Sequence, residues 1–436
     1  MQTGFSPAQL ADPATAASEA VIRKCVHCGF CTATCPTYVL LADELDSPRG
    51  RIYLINDMLE AQAEPTPEVV LHVDRCLSCL ACMTTCPSGV NYMHLVDHAR
   101  AYIEERYRRP CQERAIRALL AWVLPYPKRF RLALRLARLA RPTAGLFRSM
   151  PSLKPLAAML ELAPSHIPPK PSRDDAPVAG ARGRVALLQG CAEPVLRPEY
   201  RAATVRLLNR IGHDVVFAPG EGCCGALVHH MGRDDDSLDA ARRNVDAWTR
   251  EIEGAGLDAI LVTTSGCGTT IKDYGFMLRD DPAYAGRAAR VSALTRDVSE
   301  FLADADLPPG DGRGLSVAYH AACSLQHGQK VTEAPRRLLA HAGYLVRTPI
   351  EAHLCCGSAG TYNILQPDLA ARLGERKAAN LARLDIDVIA SGNIGCAIQI
   401  GRCSAVPVVH TVELLDWATG GPAPAALLSL QSKETA

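Results

Sequence analysis

No stretch of the 436-residue chain runs for about 18 apolar residues unbroken, the length a membrane-crossing helix needs, so no membrane span is expected. The first 24 residues lack the basic start and continuous apolar core of an export signal, and no export is expected. Strong charge of either sign is also missing. Lys and Arg total 47 against 46 Asp and Glu, a net +1, which argues against a nucleic-acid binder that works through its overall field. No G-x-G-x-x-G opens a βα unit, so nothing in this chain points to a flavin or nicotinamide pocket of its own. Cysteine is present without being dense: 18 residues, about 4% of the chain, fall short of a disulfide-rich secreted scaffold. A reducing cytoplasm fits that usage. The 48% hydrophobic content is enough to build cores for two to four domains.

Most of the cysteines fall into motifs. Cys25, Cys28, Cys31 and Cys35 precede Pro36, and Cys76, Cys79, Cys82 and Cys86 precede Pro87. Both runs follow C-x2-C-x2-C-x3-C-P, in which three close thiolates wrap one [4Fe-4S] cluster and the fourth serves the other. The expected ligand sets are therefore crossed: Cys25, Cys28, Cys31 and Cys86 for one cluster, and Cys76, Cys79, Cys82 and Cys35 for the second. Structural zinc also uses paired C-x2-C, but eight matched cysteines and two trailing prolines favour iron. A disulfide framework is weaker still. His27, inside the first run, is read as facing solvent rather than a sulfur.

Between the runs, Ser47 before Pro48 and Thr66 before Pro67 each spell a helix start. Helices to about Ala61, and again up to Cys76, make residues 15–105 a mostly helical ferredoxin-type domain holding two [4Fe-4S] clusters. Residues 106–142 follow as a basic helical segment, with eleven Lys or Arg between Arg106 and Arg141 against Glu113 alone. Arg131, Arg135 and Arg138 share a helical face, so the leucines between them are expected to pack inward with the arginines outward. The alternative is a helix lying on an anionic membrane surface. Trp122 and Phe130 suit either interfacial anchoring or the core. Residues 143–183, with Pro164, Pro168, Pro169, Pro171 and Pro177, read as a linker.

Beyond the linker the chain repeats itself. Cys191 stands 32 positions before Cys223, which pairs with Cys224 and Gly225; Cys323 stands 32 positions before Cys355, which pairs with Cys356 and Gly357. The offset between the halves is 132 residues. Each half then reaches Cys267 or Cys396 at the end of an apolar run that starts at Asp258 or Asp387. Short apolar runs from Arg184 and Leu315 end just before Cys191 and Cys323, and helical patterns follow at 202–211, 240–253, 334–342 and 369–384. Two tandem α/β repeats, at 184–300 and 314–420, follow from this alternation, with the cysteines at the carboxyl ends of parallel strands. Each repeat's four thiols either hold a further cluster or persist as buried small residues. His320, His327 and His353 flank the second set and are read as satisfied structural histidines. Cys111 and Cys403 belong to no motif and are expected to be buried thiols.

The repeats resemble the cysteine-rich CCG domains of the heterodisulfide reductase superfamily. The segments Cys25–Tyr38, Asp43–Ile55, Cys86–Val90 and Cys355–Asn363 are similar to those of the glycolate oxidase iron-sulfur subunit family, and the likeness runs from about residue 20 to about 420. The resemblance implies an α-helical ferredoxin domain followed by two CCG repeats. It also implies an electron-transfer role inside a multi-subunit enzyme whose FAD-bearing partner subunits oxidise glycolate to glyoxylate, with a quinone as acceptor. On that reading this chain does not itself bind glycolate, and it is cytoplasmic, with the basic segment as a peripheral contact on the inner face of the cell membrane. Two other readings remain open: service in a lactate or glycerol-3-phosphate dehydrogenase complex, or disulfide reduction at the CCG repeats. The disulfide-reducing members carry C-x2-C at the last cysteine of each repeat. Here Thr270 and Gln399 stand at those places, which puts a five-thiolate site in doubt.

Overall fold

The computed structural model describes residues 1–170 and 180–428, so Pro171 and Pro177 of the expected linker lie outside the described residues. Proline opens most of the N-terminal helices, where its missing N–H costs nothing and its fixed φ suits the first turn. Helices cover Pro13–Arg23, Pro36–Leu41, Pro48–Glu60, Pro67–Asp74, Ala81–Thr85 and Tyr92–Arg106. Ser47 accepts from Gly50 N at 3.0 Å and Thr66 from Val69 N at 3.3 Å, so both expected caps form. Ile52, Ile55, Leu95, Val96, Ala99 and Ile103 face one another in the core of this domain. Gly50 allows the turn at Glu44–Asp46 to lie against its helix, since a Cβ there would meet the Glu44 carbonyl oxygen at 2.0 Å.

Helices Cys111–Val123 and Pro127–Ala140 carry the basic segment. The residues read as a linker are not bare chain. A helix at Lys154–Leu162 buries Ala157, Ala158 and Leu160, because its prolines sit at the ends of the apolar stretch rather than inside it.

The remaining residues form two four-stranded parallel sheets of the same topology. The first has β1 (Gly183–Leu187), β2 (His213–Val216), β3 (Ala259–Val262) and β4 (Thr295–Asp297) in the order β2-β1-β3-β4. The second has β5 (Ser316–His320), β6 (Leu345–Arg347), β7 (Val388–Ser391) and β8 (Val408–His410) in the order β6-β5-β7-β8. The helices expected within the repeats lie at Pro198–Arg210, Asp234–Glu253, Ala334–His341 and Pro367–Leu381. Val185 pairs with Ala259 as Val317 pairs with Val388, so the first strands keep the 132-residue offset of Cys191 and Cys323 while the third strands, like Cys267 and Cys396, stand 129 residues apart. The repeats share one core, in which Val185, Leu187, Leu207 and Leu208 meet Val317, Leu339, Leu414 and Trp417. Asp416, fully buried, is held across this joint by Arg206 and by Arg210 at 3.1 Å.

Candidate metal centres

Both N-terminal runs share the same backbone device. His27 and Ser78, at matching places, have φ of 55° and 49°, and Gly29 and Leu80 have φ of 84° and 61°. Left-handed backbone at non-glycine residues costs on the order of 1 kcal/mol each and persists only where the surroundings impose it. Gly29 meets a second demand, because a Cβ there would lie 2.7 Å from the Arg49 guanidinium.

Cys25, Cys28 and Cys31 line one cavity together with Cys86 and Cys82 of the other run, and Ile52, Val90 and Tyr92 wall it. Cys82 also neighbours Cys76 and Cys35, and Cys79 neighbours Cys35 and Cys82. All eight are free thiols. Burial pushes Cys31 up to about 11 and Cys79 and Cys82 well above the ordinary thiol value, with neighbouring thiols adding to the rise. Thiols in such a setting ionise when a cation takes their charge, as ligands of a soft metal do.

Two further features fit a sulfur-rich inorganic group. Tyr92 is 3% exposed, lies among Cys76, Cys82 and Cys35, and its hydroxyl has no hydrogen-bond partner among the described residues. An orphaned O–H facing thiols is a donor for cluster sulfur. Arg51, 1% exposed, donates to His72 O at 2.6 Å and Thr37 Oγ at 3.0 Å, pairs with Asp46 at 3.2 Å, and reaches Cys35 Sγ at 3.8 Å. It places a fixed positive charge beside the second thiol set.

The two ends of this assembly differ in access. Cys28 is exposed, between Val26 and Phe30, which are 66% and 62% exposed. Cys79, by contrast, is buried in an apolar cluster with Leu77, Ala81, Cys355, Tyr362 and Leu373, and Cys323 packs on it. Thr84 and His327 Nδ1 join the same faces at 2.7 Å. The first repeat docks through polar groups instead. His94 stacks on Phe276 with ring centroids 3.5 Å apart and bonds Asp273 at 2.9 Å, while Asp97 meets His229 at 3.3 Å.

In the repeats, Cys191 and Cys323 follow the first strands, and the Cys-Cys-Gly turns follow the second. Cys267 and Cys396 sit in the first turns of helices Ser265–Lys272 and Ile394–Gly401, not at strand ends, because the apolar runs break at Thr264 and Asn393. Cys191, Cys223, Cys224 and Cys267 neighbour one another in succession, as do Cys323, Cys355, Cys356 and Cys396, with Cys323 and Cys355 sulfurs in hydrogen-bond contact at 3.7 Å. The two cysteine-bearing turns also touch: Ser265 and Ser324 hydroxyls lie 2.7 Å apart, and Asn393 Nδ2 donates to Ser265 Oγ at 3.0 Å. Thr270 and Gln399 donate to backbone carbonyls of Gly266 and Ala370, so each set keeps four thiols.

The histidines divide. His27 is exposed, as expected. His327 is braced by Thr84, by Gln326 at 2.8 Å and by His353 O at 3.2 Å. His320 is not satisfied: its buried Nε2 has no partner among the described residues. Cys111 and Cys403 are exposed rather than buried, since each stands on a helix's or turn's outer side. Sequence spacing gave no signal for Tyr92 or Arg51, whose importance comes from folding alone.

The basic helix also differs from expectation. Arg131 is buried, donating to Pro168 O and, at 2.9 Å, to Pro194 O, and Leu134 is buried beside it. Leu132, Leu136 and Leu139 are exposed at 56%, 58% and 80%. Leucines at 132, 134, 136 and 139 cannot share one side of a 3.6-residue helix; 131 and 134 form the inner face and 132, 136 and 139 the outer. Trp122 is exposed, whereas Phe130 packs against the cluster of Leu134 and Val195. No helix among the described residues is long and apolar enough to cross a membrane.

Comparison with known proteins agrees with these motifs. Residues 24–90 match the model of a 4Fe-4S dicluster domain, and residues 185–272 and 317–401 each match that of a cysteine-rich domain named CCG. The crystal structure of a hypothetical protein from Helicobacter pylori superposes over 94% of this chain and 78% of that one, with a TM-score of 0.50 at 10% identity, a likeness of fold alone. A "Probable glycolate oxidase iron-sulfur subunit" of Bacillus subtilis (strain 168) is 31% identical over 92% of this chain and 95% of its own. The "Glycolate oxidase iron-sulfur subunit" of Escherichia coli (strain K12) is 41% identical over 96% of this chain and 99% of its own. An α-helical dicluster domain followed by two CCG repeats, with relatives aligned over nearly their whole length, places this chain in the family of glycolate oxidase iron-sulfur subunits.

Proposed function

We propose that this chain is the electron-transfer subunit of a glycolate oxidase complex, receiving electrons from partner subunits that carry FAD and convert glycolate to glyoxylate, and passing them towards a quinone. The observation that carries this reading is the cavity in which Cys25, Cys28 and Cys31 meet Cys86 of the other run. Those four would hold one [4Fe-4S] cluster, and Cys76, Cys79, Cys82 and Cys35 the second. When bound, such clusters supply carriers of single electrons, which a two-electron flavin needs in order to discharge stepwise. The chain's own contribution is to aim thiolates, exclude water, and bring the Tyr92 hydroxyl and Arg51 charge against sulfur, all of which stabilise added negative charge.

Access gives the relay a direction. The exposed rim of Cys28, Val26 and Phe30 suits a partner's apolar surface, and the Cys79 end is enclosed against the second repeat. The outward leucines of the helix Pro127–Ala140, flanked by exposed Lys128, Arg129, Arg135, Arg138 and Arg141, suit a peripheral seat on the anionic inner face of the cell membrane. That position would bring the subunit to a lipid-dissolved quinone while leaving it cytoplasmic. This chain contributes no glycolate site.

Replacing Cys79 with Ser tests the reading in the whole complex. Turnover with quinone should fall at least about a hundredfold, about 2.7 kcal/mol in apparent barrier, while glycolate still reduces the partner flavin. Full quinone turnover by Cys79→Ser would refute the relay.

A further inference from the structure

Each repeat gathers four thiols, but the second adds a nitrogen donor that the first lacks. His320 ends β5 at 2% exposure. A ring nitrogen of His320 and the sulfurs of Cys356 and Cys396 lie within 4.8 Å of one another, all three residues buried. Cys356 is in contact with Cys355, which touches Cys323. An unpartnered buried nitrogen is costly, and no group among the described residues hydrogen-bonds the His320 Nε2.

A second observation comes from the helix Pro367–Leu381. Lys377 is 2% exposed and its ammonium donates to the carbonyls of Glu351 at 2.8 Å and Ala352 at 3.4 Å, with no carboxylate in salt-bridge reach among the described residues. The negative charges that bear on it are those the four thiols would carry when ionised. A buried ammonium beside neutral thiols is unfavourable; beside metal-bound thiolates it is balanced.

Among the described residues the first repeat has neither a buried imidazole nor a buried ammonium beside its thiols. The strand register that pairs His320 with Ser391 puts Leu188 at the matching place, packed in an apolar cluster. On its long helix, Asn244 donates to Cys223 O, and the cation that bears on Cys223 from there is the exposed Arg243 rather than a buried ammonium.

We propose that the second repeat holds a transition-metal centre in which His320 is a ligand beside Cys356 and Cys396, with Cys355 and Cys323 completing the donor set, and that the first repeat offers thiolates only. Mixed imidazole and thiolate donors suit zinc or an iron of an iron-sulfur unit. The inference rests on reading the repeat thiols as ligands and not on the ligand sets of the N-terminal eight. Its place beside Cys79 puts the centre next in line after the buried end of the relay.

The test uses the complex purified without oxygen, with metal analysis and X-ray absorption at the iron and zinc edges, for wild type, His320→Leu and His320→Cys. Histidine labelled with 15N adds a hyperfine readout if the centre is paramagnetic. The expected wild type shows a metal with both nitrogen and sulfur in its shell, at the zinc edge for a single ion or the iron edge for a cluster. His320→Leu, which copies Leu188, should lose the nitrogen shell and weaken retention against a chelator at least tenfold. His320→Cys should retain the metal with sulfur in place of nitrogen, and it keeps the test decisive if the leucine variant does not fold. Nitrogen scattering unchanged in either variant, or a wild type without any nitrogen-ligated metal, would overturn the proposal. Such a metal found in protein lacking the eight N-terminal irons would uphold it and count against the two-cluster relay instead.

Discussion

The two repeats share a topology yet meet the N-terminal domain in opposite ways. The second presents an apolar face, where Leu77, Cys79, Cys355, Tyr362 and Leu373 exclude water around the thiols. The first presents ionisable groups, with Asp97 set between His229 and His230 and with His94 on Asp273. One fold thus serves two tasks: a dry contact suited to electron passage and a polar clamp that fixes the domain from the other side. Electron tunnelling needs proximity and low reorganisation, which the dry face supplies, while the clamp adds orientation without bringing thiols together.

The most costly way to break the contrast lies on the polar side. His229→Ala leaves the buried Asp97 carboxylate without its partner and should cost about 4 kcal/mol in urea unfolding. A loss under about 1 kcal/mol would mean that the clamp is ornamental. On the apolar side, Leu77→Ala should cost about 3 kcal/mol, with no change in the pH dependence of stability.

Acidity separates the faces next. Burial lowers His229, but Asp97 and Asp234 outweigh it and raise the ring to about 10. Its contribution is therefore complete below the unfolded value of about 6.5 and is lost as pH rises through 10. His230 is held down to about 4 by burial, so its contribution is present above about 6.5 and disappears as pH falls towards 4. The clamp should weaken in both directions. Protection factors from hydrogen exchange at residues 226–237 should fall on either side of a neutral optimum, while those at 369–373 stay level; parallel curves would erase the distinction. The smallest effect is expected from Arg372→Ala, an exposed guanidinium that donates to Leu40 O at 2.8 Å across the apolar contact, at about 0.5 kcal/mol.

What could be read in advance follows from what each feature depends on. Cysteine spacing is local chemistry, and the two runs, the 32-residue steps and the 132-residue offset announced both domain types. Alternating apolar runs and helical patterns likewise announced parallel sheets, with the thiols near their carboxyl ends. The clamp was invisible because His94 and Asp273 are 179 residues apart in the chain, as was the contact of Thr84 with His327. The inner face of the helix Pro127–Ala140 is not legible in the sequence because four leucines at short spacing span both of its faces, and packing selects Leu134. His320 carries no mark in the sequence, since no pattern says which buried ring will lack a partner.

The claim beneath all of this is that eight N-terminal thiols hold two iron-sulfur clusters. Iron and acid-labile sulfide counted on anaerobically purified protein, together with electron paramagnetic resonance after dithionite, address it directly. The account predicts about eight irons from this domain, visible absorbance that bleaches on reduction, and signals of two interacting [4Fe-4S] centres. A colourless protein carrying zinc at those thiols, silent after dithionite, would contradict it.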